Sequence, residues 1–111
     1  MRLFTRTAGT QATTLAERLG DARVFVLDVR QPAEWRHGRI RGSHNVPLLQ
    51  LKSLLATLPR DKTIVTVCAS GHRSAYAART LQRAGWEVEN LEGGMHAWTR
   101  AGLSVEKSKR R

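Results

Sequence analysis

The chain has 111 residues, a length that fits one domain and needs no disulfide or metal ion to support a hydrophobic core. Its single cysteine excludes an internal disulfide, so the framework of a small disulfide-rich secreted protein is absent. No apolar run approaches the roughly 18 residues of a membrane-spanning helix, and the arginine-containing start does not resemble a secretory signal. We therefore expect one domain over residues 1–111, cytoplasmic and without a membrane partner.

The formal charge of +10 is large for this length, and arginine is spread along the whole chain. Such a positive field favours small anionic substrates and accelerates their capture. A nucleic-acid partner is not expected, because the aromatic residues do not alternate with the basic ones as a stacking surface requires. The basic tail, residues 105–111, is predicted to be a flexible, solvated run of charges after a core that spans residues 10–104.

The first half of the chain predicts two short helices on either side of an apolar strand. Thr14–Leu19 is predicted as a helix, because Thr14 and Glu17 have the spacing of a capping box. The apolar run 24–27 has the length of a strand that is buried on both faces. A second helix is predicted over residues 32–38, because its first residue is a proline, which suits the first helical turn.

The second half of the chain alternates helices with strands. Leucines at positions 48, 51, 55 and 58 have helical spacing and predict a helix that ends before Pro59. The β-branched run 63–67 predicts a strand, and the later elements are a helix over 74–84, a strand over 87–91 and a helix over 94–101. This alternation predicts an α/β fold with a mostly parallel sheet and helices on both faces.

The single cysteine, Cys68, lies where such a sheet usually binds anions. It directly follows the strand 63–67, and a helix is predicted to begin shortly after it. Backbone N–H groups that lead into a helix stabilise an anion there, and they lower the pKa of a cysteine thiol. A lone cysteine is more often a buried structural residue. That interpretation is disfavoured here, because a core cysteine does not need Gly71, His72 and Arg73 to follow it so closely.

Each residue of the segment 68–73 has a chemical use if the cysteine is a nucleophile. The small Ala69 and Ser70 leave room for an added atom, and Gly71 permits a tight turn that a residue with a Cβ resists. His72 can add positive charge when protonated. Arg73 can guide an anionic donor or pair with a carboxylate.

Asp28 and Arg30 are supporting candidates, because they lie at the carboxyl end of the first predicted strand. We expect a structural ion pair that holds the loop in preference to direct catalysis, and Asp28 with Arg73 is the expected pair. A zinc site of the multi-cysteine kind is excluded by the single cysteine, and no metal or cofactor is expected.

Three blocks of the sequence resemble the single-domain rhodaneses. The first runs from Leu27 to Pro47, the second is the six-residue loop from Cys68 to Arg73, and the third runs from Leu91 to Trp98. Their order and spacing extend the likeness over about residues 13–103. The resemblance implies a three-layer rhodanese-like fold, with about five strands and flanking helices. It also implies transfer of sulfane sulfur through a persulfide on Cys68.

The resemblance implies thiosulfate or another persulfide as donor and a thiol, or cyanide in an assay, as acceptor. The resemblance also allows a protein as sulfur donor or acceptor. A phosphatase or arsenate reductase is the first alternative, but the usual signature of those enzymes has five residues between cysteine and arginine, whereas this chain has four. A rhodanese-fold carrier or interaction module without activity is the second alternative. The retention of Cys68, Gly71 and Arg73 argues against it.

Overall fold

A five-stranded parallel sheet forms the centre of the molecule. The computed structural model describes residues 7–108, and its strands are β1 (Ala8–Thr10), β2 (Val24–Asp28), β3 (His44–Asn45), β4 (Thr63–Val67) and β5 (Val88–Leu91). They lie in the order β1-β5-β4-β2-β3, and every neighbouring pair is parallel. The mostly parallel sheet of about five strands is thus confirmed. Because β4 is central, its carboxyl end lies between the ends of β5 and β2.

Four α-helices and two 3-10 helices connect these strands in the described part of the chain. They are α1 (Ala12–Arg18), α2 (Pro32–His37), two 3-10 helices (Leu48–Gln50 and Lys52–Thr57), α3 (His72–Arg83) and α4 (Gly94–Arg100). The predicted capping box at Thr14 is wrong, because α1 begins two residues earlier and Gln11 is its N-cap. The predicted helix over 48–58 is replaced by the two tighter 3-10 helices. The leucine spacing still identifies the buried stripe, since Leu51 and Leu58 are buried.

Two hydrophobic layers cover the two faces of the sheet. Alternate residues of β4 point to opposite faces, as strand geometry requires. Val65 and Val67 pack in the layer that contains residues of α1 and α4, and Ile64 packs in the layer that contains residues of α3 and the 3-10 region. Cys68 also packs in the layer that contains residues of α3 and the 3-10 region. The prediction of helices on both faces is therefore confirmed.

Part of the predicted flexible tail is attached to the domain. Glu106 forms an antiparallel bridge with Arg39, with two backbone hydrogen bonds of 2.9 Å. The N–H of Ser108 donates to the carbonyl of Arg36 over 2.9 Å, and Val105 packs against the layer of α1 and α4. The prediction of a free tail does not hold for residues 105–108, and residues 109–111 lie outside the described part. Within residues 7–108, no helix has the length and apolar character to cross a membrane.

Candidate active site

Cys68 lies directly after β4 and four residues before α3, and it is only 1% exposed. The chain turns sharply between these two elements. Gly71 makes this turn possible, because its φ of 105° lies in the left-handed region that favours glycine. The thiol therefore lies inside a short loop at the carboxyl edge of the sheet, as the sequence predicts.

Three hydrogen bonds converge on the sulfur of Cys68. The backbone N–H of Gly71 donates to Sγ over 3.1 Å, and both the backbone N–H and the hydroxyl of Ser74 donate over 3.3 Å. Burial raises the pKa of the Cys68 thiol, but these three bonds, helped by the nearby backbone N–H of Ser70, outweigh it and lower the pKa below its ordinary value. The loop is therefore built to hold a sulfur anion away from solvent.

The first turn of α4 holds this loop from the other side. The N–H of Met95 donates to the carbonyl of Cys68 over 2.8 Å, and the N–H of His96 donates to the carbonyl of Ala69 over 3.0 Å. A Cβ on Gly94 would collide with both of these carbonyl oxygens, lying 2.6 Å from that of Ala69. Glycine is therefore required where α4 meets the loop. The bonds turn the loop carbonyls towards α4, while N–H groups of the loop point to the sulfur.

A half-buried amide fixes the turn at Gly71 to the neighbouring strand. Nδ2 of Asn90 in β5 donates to the carbonyl of Gly71 over 3.2 Å. The hydroxyl of Thr66 in β4 donates in turn to Oδ1 of Asn90 over 3.1 Å, which orients the amide. The loop is thus attached to α4 and to two strands of the sheet.

Arg73 points to α2, which corrects the predicted partnership with Asp28. Its guanidinium donates two hydrogen bonds to the carboxylate of Glu34, of 2.9 and 3.0 Å. This bond is the main reason why the pKa of Glu34 is lowered to about 2, and the same pair raises the pKa of Arg73. Glu34 was not a candidate from the sequence, because the local pattern does not distinguish it from Asp28 as the carboxylate that Arg73 reaches.

Asp28 pairs with Arg30 instead, and the pair is buried. Nη2 of Arg30 lies 2.8 Å from Oδ2 of Asp28 and also donates to the carbonyl of Gly38 over 2.7 Å. The side-chain amide of Asn45 donates to the carbonyls of Asp28 and Arg30 over 3.0 and 2.9 Å. Arg30 and Asp28 therefore hold the end of β2 against its neighbours through a buried ion pair.

The remaining residues of the loop are more open. Ala69 is half-buried, and Ser70 and His72 are exposed. Nδ1 of His72 lies 3.0 Å from the hydroxyl of Ser70, so the ring is held beside the loop entrance. Within residues 7–108, no group of three or more metal-ligating side chains is brought together.

Ser74 and Gly94 are site residues that sequence reasoning missed. Ser74 had a signal in the sequence: it shares a helical face with Ala77, Ala78 and Leu81, which are all buried. A hydroxyl within such an apolar stripe needs a partner, and the partner here is the sulfur. Gly94 was predicted only as the first residue of the last helix, because its close approach to the carbonyl of Cys68 depends on tertiary packing.

Several known proteins are similar to this chain in sequence and in structure. A sulfurtransferase from Allochromatium vinosum is 36% identical over 83% of this chain and 88% of its own length. The crystal structure of a rhodanese-related protein from Thermoplasma volcanium has a TM-score of 0.84 and 35% identity, covering 89% of this chain and 97% of that one. A thiosulfate sulfurtransferase from Pseudomonas aeruginosa has a TM-score of 0.83 and 34% identity, with 93% of this chain matched to 20% of the longer one.

The family model of the rhodanese-like domain covers most of the chain. It matches residues 11–101, a range that contains the whole sheet except β1 and all of the contacts described around Cys68. The match agrees with the three sequence blocks and with the architecture of the sheet. The chain belongs to the rhodanese-like domain family.

Proposed function

We propose that this protein is a sulfurtransferase that carries sulfane sulfur as a persulfide on Cys68. The names of its relatives support a sulfurtransferase or sulfur-carrier role. The observation that carries the proposal is the set of three hydrogen bonds on Sγ, given by Gly71 and Ser74. An anion stabilised by neutral, preorganised donors is what both the thiolate and the persulfide require.

In the first half of the reaction, the Cys68 thiolate attacks the outer sulfur of thiosulfate. The S–S bond of thiosulfate breaks, sulfite leaves with the bonding electron pair, and the outer sulfur remains on Cys68 as a persulfide anion. The lowered pKa of Cys68 raises the fraction of thiol that is already a nucleophile near neutral pH. The positive charge of the chain assists capture of the dianion.

In the second half, an acceptor takes the outer sulfur and Cys68 returns to the thiolate. The acceptor is a thiol, or cyanide in an assay, and a protein persulfide can replace thiosulfate as donor. Such covalent transfer gives double-displacement kinetics. We place this activity in the cytoplasm, where a free thiol such as Cys68 stays reduced.

Mass spectrometry of the intact protein tests the proposal directly. After incubation with thiosulfate and removal of the excess, the wild-type chain is expected to gain the mass of one sulfur atom and to lose it on addition of cyanide. Cys68→Ser is expected to gain none, because a hydroxyl cannot carry a persulfide. Failure of the wild type to form the adduct with thiosulfate or with a glutathione persulfide would overturn the enzymatic proposal.

An assay with an aryl phosphate as substrate distinguishes a sulfurtransferase from a phosphatase. Only four residues separate Cys68 and Arg73, and the guanidinium is bound to Glu34 on α2. An arginine held in this way is not directed to the oxygens of a phosphoryl group at Sγ. We expect transfer from thiosulfate to cyanide with no Cys68-dependent release of phosphate, whereas the opposite pattern would favour a phosphatase.

A further inference from the structure

An apolar groove lies between α3 and the first 3-10 helix. It encloses about 500 Å³ and is lined by Leu48, Leu49, Leu51, Lys52, Tyr76 and Thr80. Leu49 is 92% exposed and Tyr76 is 50% exposed, and they are the two exposed large hydrophobic side chains among residues 7–108. The core does not account for them, because neither side chain is buried by the fold. Adjacent exposed apolar residues that line a concavity are typical of a binding surface.

The groove lies on the same side of the molecule as the loop of Cys68. His72, Tyr76 and Thr80 are spaced by four residues on α3 and share one helical face. Tyr76 is therefore about one turn, roughly 6 Å, along the axis from His72 at the loop entrance. On the other wall, the N–H of Leu48 donates over 3.1 Å to the carbonyl of Val29, just beyond the end of β2. Both walls start at the carboxyl edge of the sheet.

Two basic side chains lie at the groove, and none of the residues that line it is acidic. Lys52 lines the groove itself and is exposed. The guanidinium of Arg79 lies 6.0 Å from the ring centre of Tyr76. An apolar groove with a cationic border is complementary to a segment that combines an apolar side chain with acidic residues.

We propose that this groove docks an acidic and apolar segment of a protein that accepts the sulfur, so that a cysteine of the same segment reaches Cys68. The proposal rests on the proposed sulfurtransferase function and names its acceptor class. A second copy of this chain is disfavoured as occupant, because it would bring like charges together. A membrane surface is disfavoured because the groove is concave and leads towards a thiol that lies inside a loop.

The transfer step needs no further reactant. The acceptor thiolate attacks the outer sulfur of the Cys68 persulfide, and the S–S bond between that sulfur and Sγ breaks. Its electron pair remains on Sγ as the thiolate, which keeps the hydrogen bonds from Gly71 and Ser74. The product is a persulfide on the acceptor. Docking raises the rate by holding the acceptor thiol near the loop entrance.

Short synthetic peptides test the docking of this segment. An extended chain spans about 3.3 Å per residue, so a leucine three positions before a cysteine reaches about 10 Å from the thiol. Acetyl-Leu-Asp-Glu-Cys-amide is compared as acceptor with versions in which serine replaces the leucine or two lysines replace the acidic pair. We expect kcat/KM for the parent peptide to exceed that of the serine control by about tenfold, since burial of one leucine is worth about 1.5 kcal/mol. It should also exceed that of the lysine control, because the acidic pair is attracted to Lys52 in the groove.

Variants of the groove separate docking from sulfur chemistry. Leu49→Ser and Tyr76→Ala are expected to abolish the preference for leucine over serine in the peptide. Lys52→Glu is expected to abolish the preference for the acidic pair over lysines. Turnover with cyanide should be unchanged in all three variants. Lys107→Glu is the matched charge control, because Lys107 is exposed and follows Val105, which packs on the opposite layer. It should leave both preferences as in the wild type.

The same assays distinguish a failure of the groove proposal from a failure of the proposed sulfurtransferase function. Normal cyanide turnover with equal use of all three peptides would overturn the groove proposal and leave the sulfurtransferase standing. Absence of cyanide turnover in the wild type would overturn the proposed function itself. Sedimentation with phosphatidylglycerol vesicles that is lost in Leu49→Ser would assign the groove to a membrane surface. Dimerisation that is lost in the same variant would assign it to a second copy.

Discussion

Glu34 in α2 and Arg73 in α3 are joined by two hydrogen bonds of 2.9 and 3.0 Å, which tie the helix after the active-site loop to the helix after β2. Both side chains are 37% exposed, so solvent screens much of their attraction. The pair therefore contributes more to the position of the loop than to the total stability of the fold.

Glu34→Gln is expected to lower the free energy of unfolding at pH 7 by about 1 kcal/mol or less. The pKa of Glu34 is about 2 in the folded state and 4.5 ordinarily, so its stabilisation is fully present above the ordinary value. The difference between wild type and variant should vanish as the pH falls from about 4.5 to about 2. Urea unfolding across this range measures it, with Glu17→Gln, also exposed, as the control.

Arg73→Ala should have nearly the same effect as Glu34→Gln, and the double variant should lose little more than either. Such non-additivity is expected if each side chain stabilises the fold mainly through its bond to the other. The free energy of unfolding and the kinetics with thiosulfate are measured for the wild type, the two single variants and the double variant. A variant of Arg73 that keeps full stability and raises only the KM for thiosulfate would instead make Arg73 a donor-binding residue.

Ser74→Ala should raise the pKa of Cys68, because the side-chain hydrogen bond from Ser74 is the largest influence that lowers it. A lost hydrogen bond to a charged group is worth about 1.5 kcal/mol or more, so alkylation of Cys68 by iodoacetamide at pH 7 should slow by roughly tenfold. The rate should approach that of the wild type at high pH, where both thiols are ionised. Ser53→Ala is the control, since the Ser53 hydroxyl bonds its local backbone carbonyl at Gln50. Equal pH profiles for Ser74→Ala and wild type would contradict the assignment.

Gly94→Ala tests whether α4 sets the geometry of the loop. The new Cβ would meet the carbonyl oxygens of Cys68 and Ala69, and φ at this position is already +57°. Gly102→Ala is a matched control, because Gly102 has a φ of +77° but its added Cβ would meet no atom of the described residues within 4 Å. We expect Gly102→Ala to cost about 1–2 kcal/mol with normal turnover per folded molecule. Gly94→Ala should cost more and should also lower kcat; equal effects of the two changes would show that α4 does not control the loop.

Ionic strength should act on capture of thiosulfate and leave the sulfur chemistry unchanged. The screening length falls from about 10 Å at 0.1 M salt to about 3 Å at 1 M, so KM for thiosulfate should rise several-fold while kcat stays constant. His72→Ala should raise KM about twofold, because His72 is exposed at the loop entrance, whereas His37→Ala on the exposed end of α2 should not. A salt effect confined to kcat would contradict this division.

Much of the fold could be predicted because local patterns were strong. The apolar run of β2 and the β-branched run of β4 marked two central strands, and Cys68 followed the second of them as predicted. β1 was not predicted, because Ala8–Thr10 has no apolar alternation and becomes a strand only by pairing with β5. The 3-10 conformation of residues 48–57 was also missed, because leucines at these intervals fit a 3-10 helix as well as an α-helix.

In the site, residues adjacent in sequence were predicted and partners distant in sequence were not. Gly71 and its turn follow from the loop itself. The pairing of Arg73 with Glu34 could not be separated from a pairing with Asp28, since both carboxylates come from the region that ends β2 and begins α2. That choice depends on how α2 packs beside α3, which no local pattern specifies.

The first N–H groups of an α-helix have no partner within the helix and commonly bond to water, so their hydrogens are usually among the first to exchange with solvent. In α4, the N–H groups of Met95 and His96 are instead bonded to the carbonyls of Cys68 and Ala69. Their hydrogens can exchange only when α4 and the loop separate. The rate at which these two amide hydrogens exchange therefore measures how often the loop around the sulfur opens.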